Sequence, residues 1–472
     1  MQRTCGFDGK EQVLEFVSDN NIRMLNLCHI PEDGRLRTLS FSAVNKERVA
    51  EILDYGERAD GSSLFSSIEP TESDVYLKPR IQTSFINPFA MVPTLNVMCE
   101  YLNEKGKPLD IAPSSVLRKA EDSLCSSRGI VLKALAELEF YIMAPQLTEP
   151  LFPAASDRNY HASFPFAQFE DVRNETLAIL ETMGIQTKYG HSEVGCMLTK
   201  NNVLLEQHEI EFIPQTLSRM AETIVLAKWA VRNVCSRRGL SVSFIPKIDL
   251  AHAGSGMHIH LCAIRKGKNI IADSNGNLSE EALAMIGGIL KLAPSLSAFG
   301  NPTPISYLRL TARKESPMHI CWSARNRLAL MRIPLWWKFA EAPFTGDSRE
   351  TFEYRAPDAF ANAHMLLAGL AIATGHGLSK SEKSVRTAQN LHVDCTHDKL
   401  QKLQLLPRSC SEAAANLTKQ RRFYEADGIF PKKLIDNVIN RLEAYDDKNL
   451  SKELSAKPKM FDKVMTQFLH YG

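Results

Sequence analysis

The chain has 472 residues, 44% hydrophobic and 23% charged, and its 56 basic and 54 acidic side chains leave a formal net charge of +2. That length exceeds one simple core and predicts two or more domains, while the near balance of charge offers no electrostatic footprint for nucleic acid or a membrane surface. Ten scattered cysteines with no C-x-x-C pair frame neither a disulfide scaffold nor a zinc knuckle, so a reducing, cytoplasmic compartment is expected.

In chain order, the N-terminus MQRTCGFDGKEQVLEF carries acids where a secretory leader would be apolar. Residues 11–105 mix an amphipathic start, EQVLEFVSDNNI, with short alternating runs such as RMLNLCHI and RLRTLSFSA, separated by PEDG. This predicts a small α+β unit rich in strands. The polar segment NEKGKPLDIAPSS (103–115) precedes the helical period of VLRKAEDSLCSS, so a boundary is set near residue 108, giving units 1–107 and 108–472. Beyond it, strands with paired acids such as KALAELEFYIM alternate with helices that run to Gly184 and Gly239, glycine being a common helix stop. The apolar segment around Met365–Ala373 is far short of a membrane span. From about 405 onward, SEAAANLTKQRRFYEADG and PKKLIDNVINRLEAY predict a helical tail.

The chemistry concentrates in the second unit. Ala253-Gly254-Ser255-Gly256-Met257-His258-Ile259-His260 sets two histidines two apart after a glycine-rich turn, so on a strand both imidazoles share a face. Glu137 and Glu139 in ELEF, Glu209 and Glu211 in EQHEIEF, and Glu353 and Arg355 in FEYRAPD repeat that spacing, and Glu193 ends a strand-like run. An isolated E-x-E pair is usually a solvated strand face. Beside apolar neighbours, however, two carboxylates ~4 Å apart repel by ~4 kcal/mol at an effective dielectric near 20, and a cation must separate them. Glu137, Glu139, Glu193, Glu209, Glu353 and His258 together suit two divalent ions of the Mg²⁺ or Mn²⁺ type, because oxygen donors with at most one imidazole disfavour zinc. Arg309 in SYLRL and Arg325, Arg327 and Arg332 in SARNRLALMRIP add planar clamps for carboxylate and phosphate. Carboxylates for metals beside arginines for anions describe a phosphoryl-transfer site, yet no Walker, kinase or H-E-x-x-H motif is present.

These residues resemble the glutamine synthetase family, type I in layout. The match runs in family order over roughly residues 55–375: ADGSS with ESD, ELEF, HSEVG, QHEI, FIPK, GSGMHIH, SYLRL, SARNR with RIP, and EYRAPD. The resemblance implies an N-terminal β-grasp-like domain and a glutamine synthetase/guanido kinase-type catalytic domain with a curved antiparallel sheet. It also implies a homo-oligomeric ring, usually a dodecamer, with active sites between subunits. The implied reaction phosphorylates the side chain of glutamate with ATP, after which ammonia displaces phosphate. By the same resemblance Glu139, Glu193 and Glu209 hold the metal near glutamate, and Glu137, His258 and Glu353 the one bridging the ATP phosphates. His260 and Arg332 contact those phosphates, Arg327 the transferring group, Arg309 the substrate α-carboxylate and Arg355 its reacting carboxylate. The Gly254 carbonyl accepts from the substrate amine. Glu315 in RKESP is the flap acid that takes a proton from the attacking amine. Asp60 of the neighbouring subunit deprotonates ammonium in a pocket completed by Tyr160, Glu193 and Ser63.

The chain departs from the family pattern at several places. Ala253 replaces an asparagine, Ile305 and Leu308 alter the usual N-S-Y-K-R-L, Cys262 replaces a serine and Thr351 an arginine. A longer connection precedes QHEI and Glu206 replaces a glycine, so Glu206 or Glu211 stand as alternatives to Glu209. Asn390-Leu391-His392 lacks the tyrosine that adenylylation would modify. Two further readings accompany ammonia ligation: a γ-glutamyl ligase for an organic amine or polyamine, and an inactive ring-forming relative with a structural role.

Overall fold

The computed structural model describes residues 6–146, 152–153, 155–312, 315–336, 350–393, 402–450, 453–454 and 459–472. The first hundred residues form a six-stranded sheet from β1 (Met24–His29), β2 (Arg37–Ser42), β3 (Glu57–Asp60), β4 (Asp74–Pro79), β5 (Phe85–Ile86) and β6 (Thr94–Leu102), in the order β2-β1-β6-β4-β3 with β5 on β6. β1 and β6 run parallel and the other pairs antiparallel. The predicted amphipathic start is helix α1 (Lys10–Asp19), whose Val13 and Val17 join Val49, Ile52 and Leu53 of α2 (Lys46–Tyr55) over Leu25, Leu27, Leu95 and Val97. That apolar layer is a core of its own, because alternation sends every second strand residue to one side.

After a turn, α3 (Pro113–Arg128) begins with proline in its first turn, where no N–H is needed, and ends at left-handed Gly129. The second sheet has ten strands and is centred on the sixteen-residue β7 (Ile130–Pro145). Its further strands are β8 (Thr187–Leu198), β9 (Val203–Phe212), β10 (Gln215–Thr216), β11 (Ser241–Ser243), β12 (Met257–Arg265), β13 (Lys268–Asn269), β14 (Trp322–Ala324), β15 (Met331–Ile333) and β16 (Phe352–Tyr354). The main path is β14-β15-β16-β12-β7-β9-β8. All its pairs are antiparallel except β14 with β15. The curved sheet therefore departs from a purely antiparallel one at a single edge.

Helices α4 (Glu170–Thr182), α5 (Leu217–Arg237), α6 (Glu280–Gly300), α7 (Pro304–Thr311), α8 (Ala363–Ser379) and α9 (Ser381–Asn390) pack around this sheet. As expected, the helices of residues 171–184 and 218–239 stop at glycines of positive φ, Gly184 and Gly239. The helical tail comprises Cys410–Glu425, Lys432–Glu443 and Lys459–Phe468. Among the described helices α6 alone is long and apolar enough to cross a membrane, and 89% of its apolar window is buried in the protein's own core.

The helical layer is held close by glycine. A methyl on Gly288 of α6 would overlap the Ala373 carbonyl oxygen, and one on Gly377 of α8 would overlap that of Ala284. By contrast, a methyl on Gly375 of α8 meets only Leu124 Cδ1, at 3.6 Å. Gly377→Ala is therefore expected to destabilise by ~1–3 kcal/mol through overpacking. Gly375→Ala is expected to be neutral or to stabilise by up to ~1 kcal/mol through helix propensity. Denaturant unfolding of both variants checks this, and shifts of the same sign would contradict the packing account.

Candidate active site

Register alone gathers the site. In an antiparallel sheet directly opposed residues point to the same face, and residues two apart on one strand share it. His258 of β12 opposes Glu137 of β7, which opposes Glu211 of β9, which opposes Tyr189 of β8. One row over, Glu139 opposes Glu209, which opposes His191. On the other side, His260 opposes Glu353 of β16, which opposes Arg332 of β15. Except for Glu353, these rows line one cavity of about 600 Å³, together with Tyr160, Lys188, Glu193, Gln207, Ala253, Gly254, Arg309, Glu315, Arg327 and Arg355.

Within the cavity the donors fall into three sets, each with atoms within 4.8 Å of one another: Glu137, His258 and Glu353; Glu137, Glu211 and His260; and His191, Glu193 and Glu209. His258 Nδ1 lies 2.7 Å from Glu137 Oε2 and 3.3 Å from Glu353 Oε1, while His260 Nε2 lies 2.9 Å from Glu137 Oε1. Burial opposes the charge of Glu137, but His260 and His258 outweigh it and hold its carboxyl well below the ordinary carboxylate range. Burial likewise opposes Glu353, and Arg355 tips the balance toward the charged form. The third set lacks such help. Burial, then the charge of Glu139, pushes Glu193 up to about 8. Burial, then Glu137, Glu139 and Glu193, pushes Glu209 well above its usual range. A carboxyl that keeps its proton to this pH is short of countercharge, which a divalent cation supplies. Carboxylates with at most one imidazole per set fit Mg²⁺ or Mn²⁺.

Four arginines face these acids. Arg332 Nη1 is 2.8 Å from Glu353 Oε2, and Arg355 Nη1 donates to Glu353 Oε1. Arg309 is buried and donates to the carbonyls of Ala356 and Pro357 at 2.9 and 3.1 Å, which fixes its plane. Its closeness explains the glycine turn, since a methyl on Gly256 would lie 2.5 Å from Arg309 Nη2 and 2.8 Å from His258 Nε2. What approaches the turn so closely is thus the protein's own guanidinium. Arg327 stands between Tyr160 and Glu315, its Nη1 4.0 Å from Glu315 Oε2. Glu315 has φ +51, a conformation rare for a residue with a side chain, and its carbonyl accepts from Arg355 Nη2 at 3.3 Å.

The structure thus gathers Glu137, Glu139, Glu193, Glu209, Glu353, His258, His260, Gly254, Arg309, Arg327, Arg332, Arg355, Glu315 and Tyr160 around one cavity. Glu353 lies directly behind the wall. Asp60 and Ser63 are elsewhere. They sit at the end of β3 in the first sheet, where Ser62 and Ser63 donate to Asp60 and hold its carboxyl down at about 2. Glu139 is not in the tight set with Glu193 and Glu209; its Oε2 accepts from Gln207 Nε2 at 3.0 Å and from Gly256 N at 2.9 Å. Of the three alternatives on β9, Glu206 points to the opposite face. There it is wholly buried and accepts from the backbone of Gln168 and Phe169.

Sequence reasoning missed His191, Lys188, Tyr189 and Gln207. The signal for Gln207 was present, since Gln207, Glu209 and Glu211 keep period two. Gln207 also donates to the Gly254 carbonyl at 3.0 Å and accepts from Gly195 N at 2.9 Å. His191 was equally legible, two residues before Glu193, and it stands in regular register opposite Glu209, ahead of the shift between Ser192 and Cys196.

A family model described as glutamine synthetase, catalytic domain, matches residues 110–455, and one described as glutamine synthetase, beta-Grasp domain, matches residues 21–104. The glutamine synthetase of Thermotoga maritima is 30% identical over 425 residues, covering 89% of this chain and 92% of the relative. That of Escherichia coli is 29% identical over 471 residues, covering 93% and 96%. Among solved structures, the fold is similar to the Plasmodium falciparum glutamine synthetase, with TM-score 0.80, 19% identity and coverage of 95% and 98%. It is also similar to ligand-free GmaS, with TM-score 0.75, 21% identity and coverage of 93% and 96%. At these identities the two structures speak to fold alone.

The raised carboxyls carry a pH consequence. Glu193 keeps its proton to about 8 when folded, whereas the unfolded chain releases it near the ordinary 4.5. The native state therefore binds more protons in that window, and this group's contribution to stability falls as pH rises through it. A bound divalent ion replaces the proton and removes the loss. The gain in melting temperature on adding Mn²⁺ to chelator-treated protein is expected to be larger at pH 8 than at pH 6. Thermal unfolding at both pH values checks it; an equal or smaller gain at pH 8 contradicts it.

Proposed function

Because the chain belongs to the glutamine synthetase family, we propose that it joins ammonia to the γ-carboxylate of glutamate through a γ-glutamyl phosphate, converting ATP to ADP and phosphate. The observation that carries this reading is one cavity in which carboxylate and imidazole sets face four arginines. In this reading Glu139, Glu193 and Glu209 hold one divalent ion and Glu137, His258 and Glu353 another. Bound Mg²⁺ or Mn²⁺ would neutralise phosphate charge in transfer. Arg332 and His260 grip the ATP phosphates, and Arg327 meets the transferring group, where positioning and charge stabilisation do most of the work. Arg309 receives the α-carboxylate of glutamate, Arg355 the carboxylate that reacts, and the Gly254 carbonyl the substrate amine.

Glu315 suits a flap. Its carbonyl is tied to Arg355 while its carboxylate is 62% exposed, so the side chain is free to cover the acyl phosphate and accept a proton from the attacking amine. Asp60 stays anionic at any physiological pH, as capture of ammonium requires, and it lies apart from its own chain's cavity. A neighbouring subunit in a ring supplies it, with Ser63, to meet Tyr160 and Glu193. The enzyme works in the cytoplasm in this reading.

A second acceptor class has one observation in its favour. Ala253, in the cavity wall, presents a methyl where the family pattern has an amide, which leaves room for an organic amine. Phosphate release with glutamate and ATP is expected to be roughly tenfold or more faster with ammonium than with ethylamine or putrescine. Turnover only with the organic amines would replace ammonia as the substrate, and none with any amine would point to an inactive relative. Glu315→Ala is expected to keep metal and ATP binding while losing on the order of 10² in turnover; binding titrations beside the same assay check this, and unchanged turnover would remove Glu315 from the reaction.

A further inference from the structure

The loop that presents the Gly254 carbonyl is tied at several points to its own side of the cavity. Asp249 Oδ1 accepts from the backbone of Ala251 and His252 at 2.7 and 3.2 Å. Lys247 Nζ donates to the His252 carbonyl, Tyr141 Oη to that of Ala253 at 2.9 Å, and Gln207 Nε2 to that of Gly254 at 3.0 Å. The side chain of His252 reaches the other way. Its Nδ1 lies 3.2 Å from Asp157 Oδ1, and because a carboxylate oxygen accepts, Nδ1 is the donor. Both side chains are only 22% exposed, so water competes weakly for the bond.

Asp157 opens a second stretch of the cavity wall. Its N–H donates to the Cys196 carbonyl at 3.1 Å, that of Asn159 to Val194 at 3.3 Å and that of His161 to Ser192 at 2.9 Å, which lays residues 157–161 along β8. Asp157 has φ +49, a left-handed conformation that aspartate tolerates better than most side chains. Tyr160 follows three residues on, and Gly254 stands two residues after His252. The pair therefore joins the stretch that carries Tyr160 to the loop that carries Gly254.

We propose that the His252–Asp157 pair is a clasp that sets the spacing between the Gly254 carbonyl and Tyr160, and so positions glutamate against the incoming amine. Where the family pattern has an amide, Ala253 offers only a methyl, so the side-chain tether of this loop passes to its neighbour. The two residues are positioning residues, acting through Gly254 and Tyr160, and a misplacement of about 1 Å is enough to cost on the order of 10² in rate. The identity of the substrates rests on the ligase reading; the clasp rests on the geometry alone.

Kinetics on the full chain, with Mg²⁺ in excess, test it. Asp157→Ala and His252→Ala are each expected to raise the KM for glutamate and for ammonium roughly tenfold while moving ATP affinity less than about twofold. The double variant is expected to be no worse than either single one, since both remove the same bond. Asp157→Asn, whose amide oxygen still accepts from Nδ1–H, is expected to recover most of the loss. Unchanged KM values, an equal loss of ATP affinity, multiplying effects in the double variant or no recovery in Asp157→Asn overturn the proposal. Hydrogen exchange, read without substrate on the segment that does not carry the substitution, is expected to be at least about threefold faster, at 249–255 in Asp157→Ala and at 157–161 in His252→Ala. Unchanged exchange overturns the clasp, and either variant alone decides if the other fails to fold. A wild type without glutamate-dependent phosphate release overturns the ligase reading, and the exchange measurement still decides the clasp.

Discussion

Crowding carboxylates onto one buried face of a sheet is the constraint on which the rest of this structure depends. Glu137, Glu139, Glu209, Glu211 and Glu353 come from three strands held in register, and four of the five are almost fully buried. At a few kcal/mol of repulsion per close pair, no hydrophobic layer behind them could hold such a face together unaided. The sequence answers with basic groups close by: the His260 imidazole, whose pKa the neighbouring acids raise against burial, and guanidiniums at Arg332 and Arg355. Where these suffice, as around Glu137, the acid is strongly ionised. Where they do not, around Glu193 and Glu209, protons remain bound and mark where charge from outside is wanted. The glycine turn, the fixed plane of Arg309 and the amide of Gln207 all follow from packing so many charged groups into so little space.

Much of this was legible in the sequence, because both alternation and helix period are local. The two-residue spacing in ELEF, EQHEIEF and MHIH predicted shared faces, and opposed register turned those faces into one cavity. What was not legible depends on pairing between distant segments. Glu206 lies three residues before Glu209, so alternation alone sends it to the other face of β9, where it ties down the backbone before α4; which face lines the cavity is decided by the pairing of β9 with β7 and β8. The shift in β8 after Ser192 similarly sets where Glu193 lies, which no local pattern gives. Helix α6 was overlooked because an all-apolar helix has no polar face to betray its period, and it lies at the centre of the helical layer.

The departures from the family pattern are mostly absorbed by the fold. At position 253 the backbone carbonyl is held by Tyr141 Oη at 2.9 Å, so the turn keeps its anchor without a side-chain amide. Ile305 and Leu308 are buried in α7, where apolar side chains add packing behind Arg309. Glu206 introduces a buried carboxylate, with two backbone amides to receive it. Thr351 is different in kind, since its hydroxyl reaches the ring of His260 and so alters the site itself.

The turn at Asp60 has a consequence beyond the single chain. It lies in a different sheet, with a different core, from the cavity it is proposed to serve, and its serines keep its charge in place whether or not that cavity is near. In the proposed ring, catalysis would be a property of contact between copies, and specific activity would fall on dilution. Two damaged copies, one broken at Asp60 and the other at Glu315, would rebuild intact sites where they meet. A mixed ring would regain function that neither parent has, and a harmful substitution in one copy would be felt by its neighbour as well as by itself.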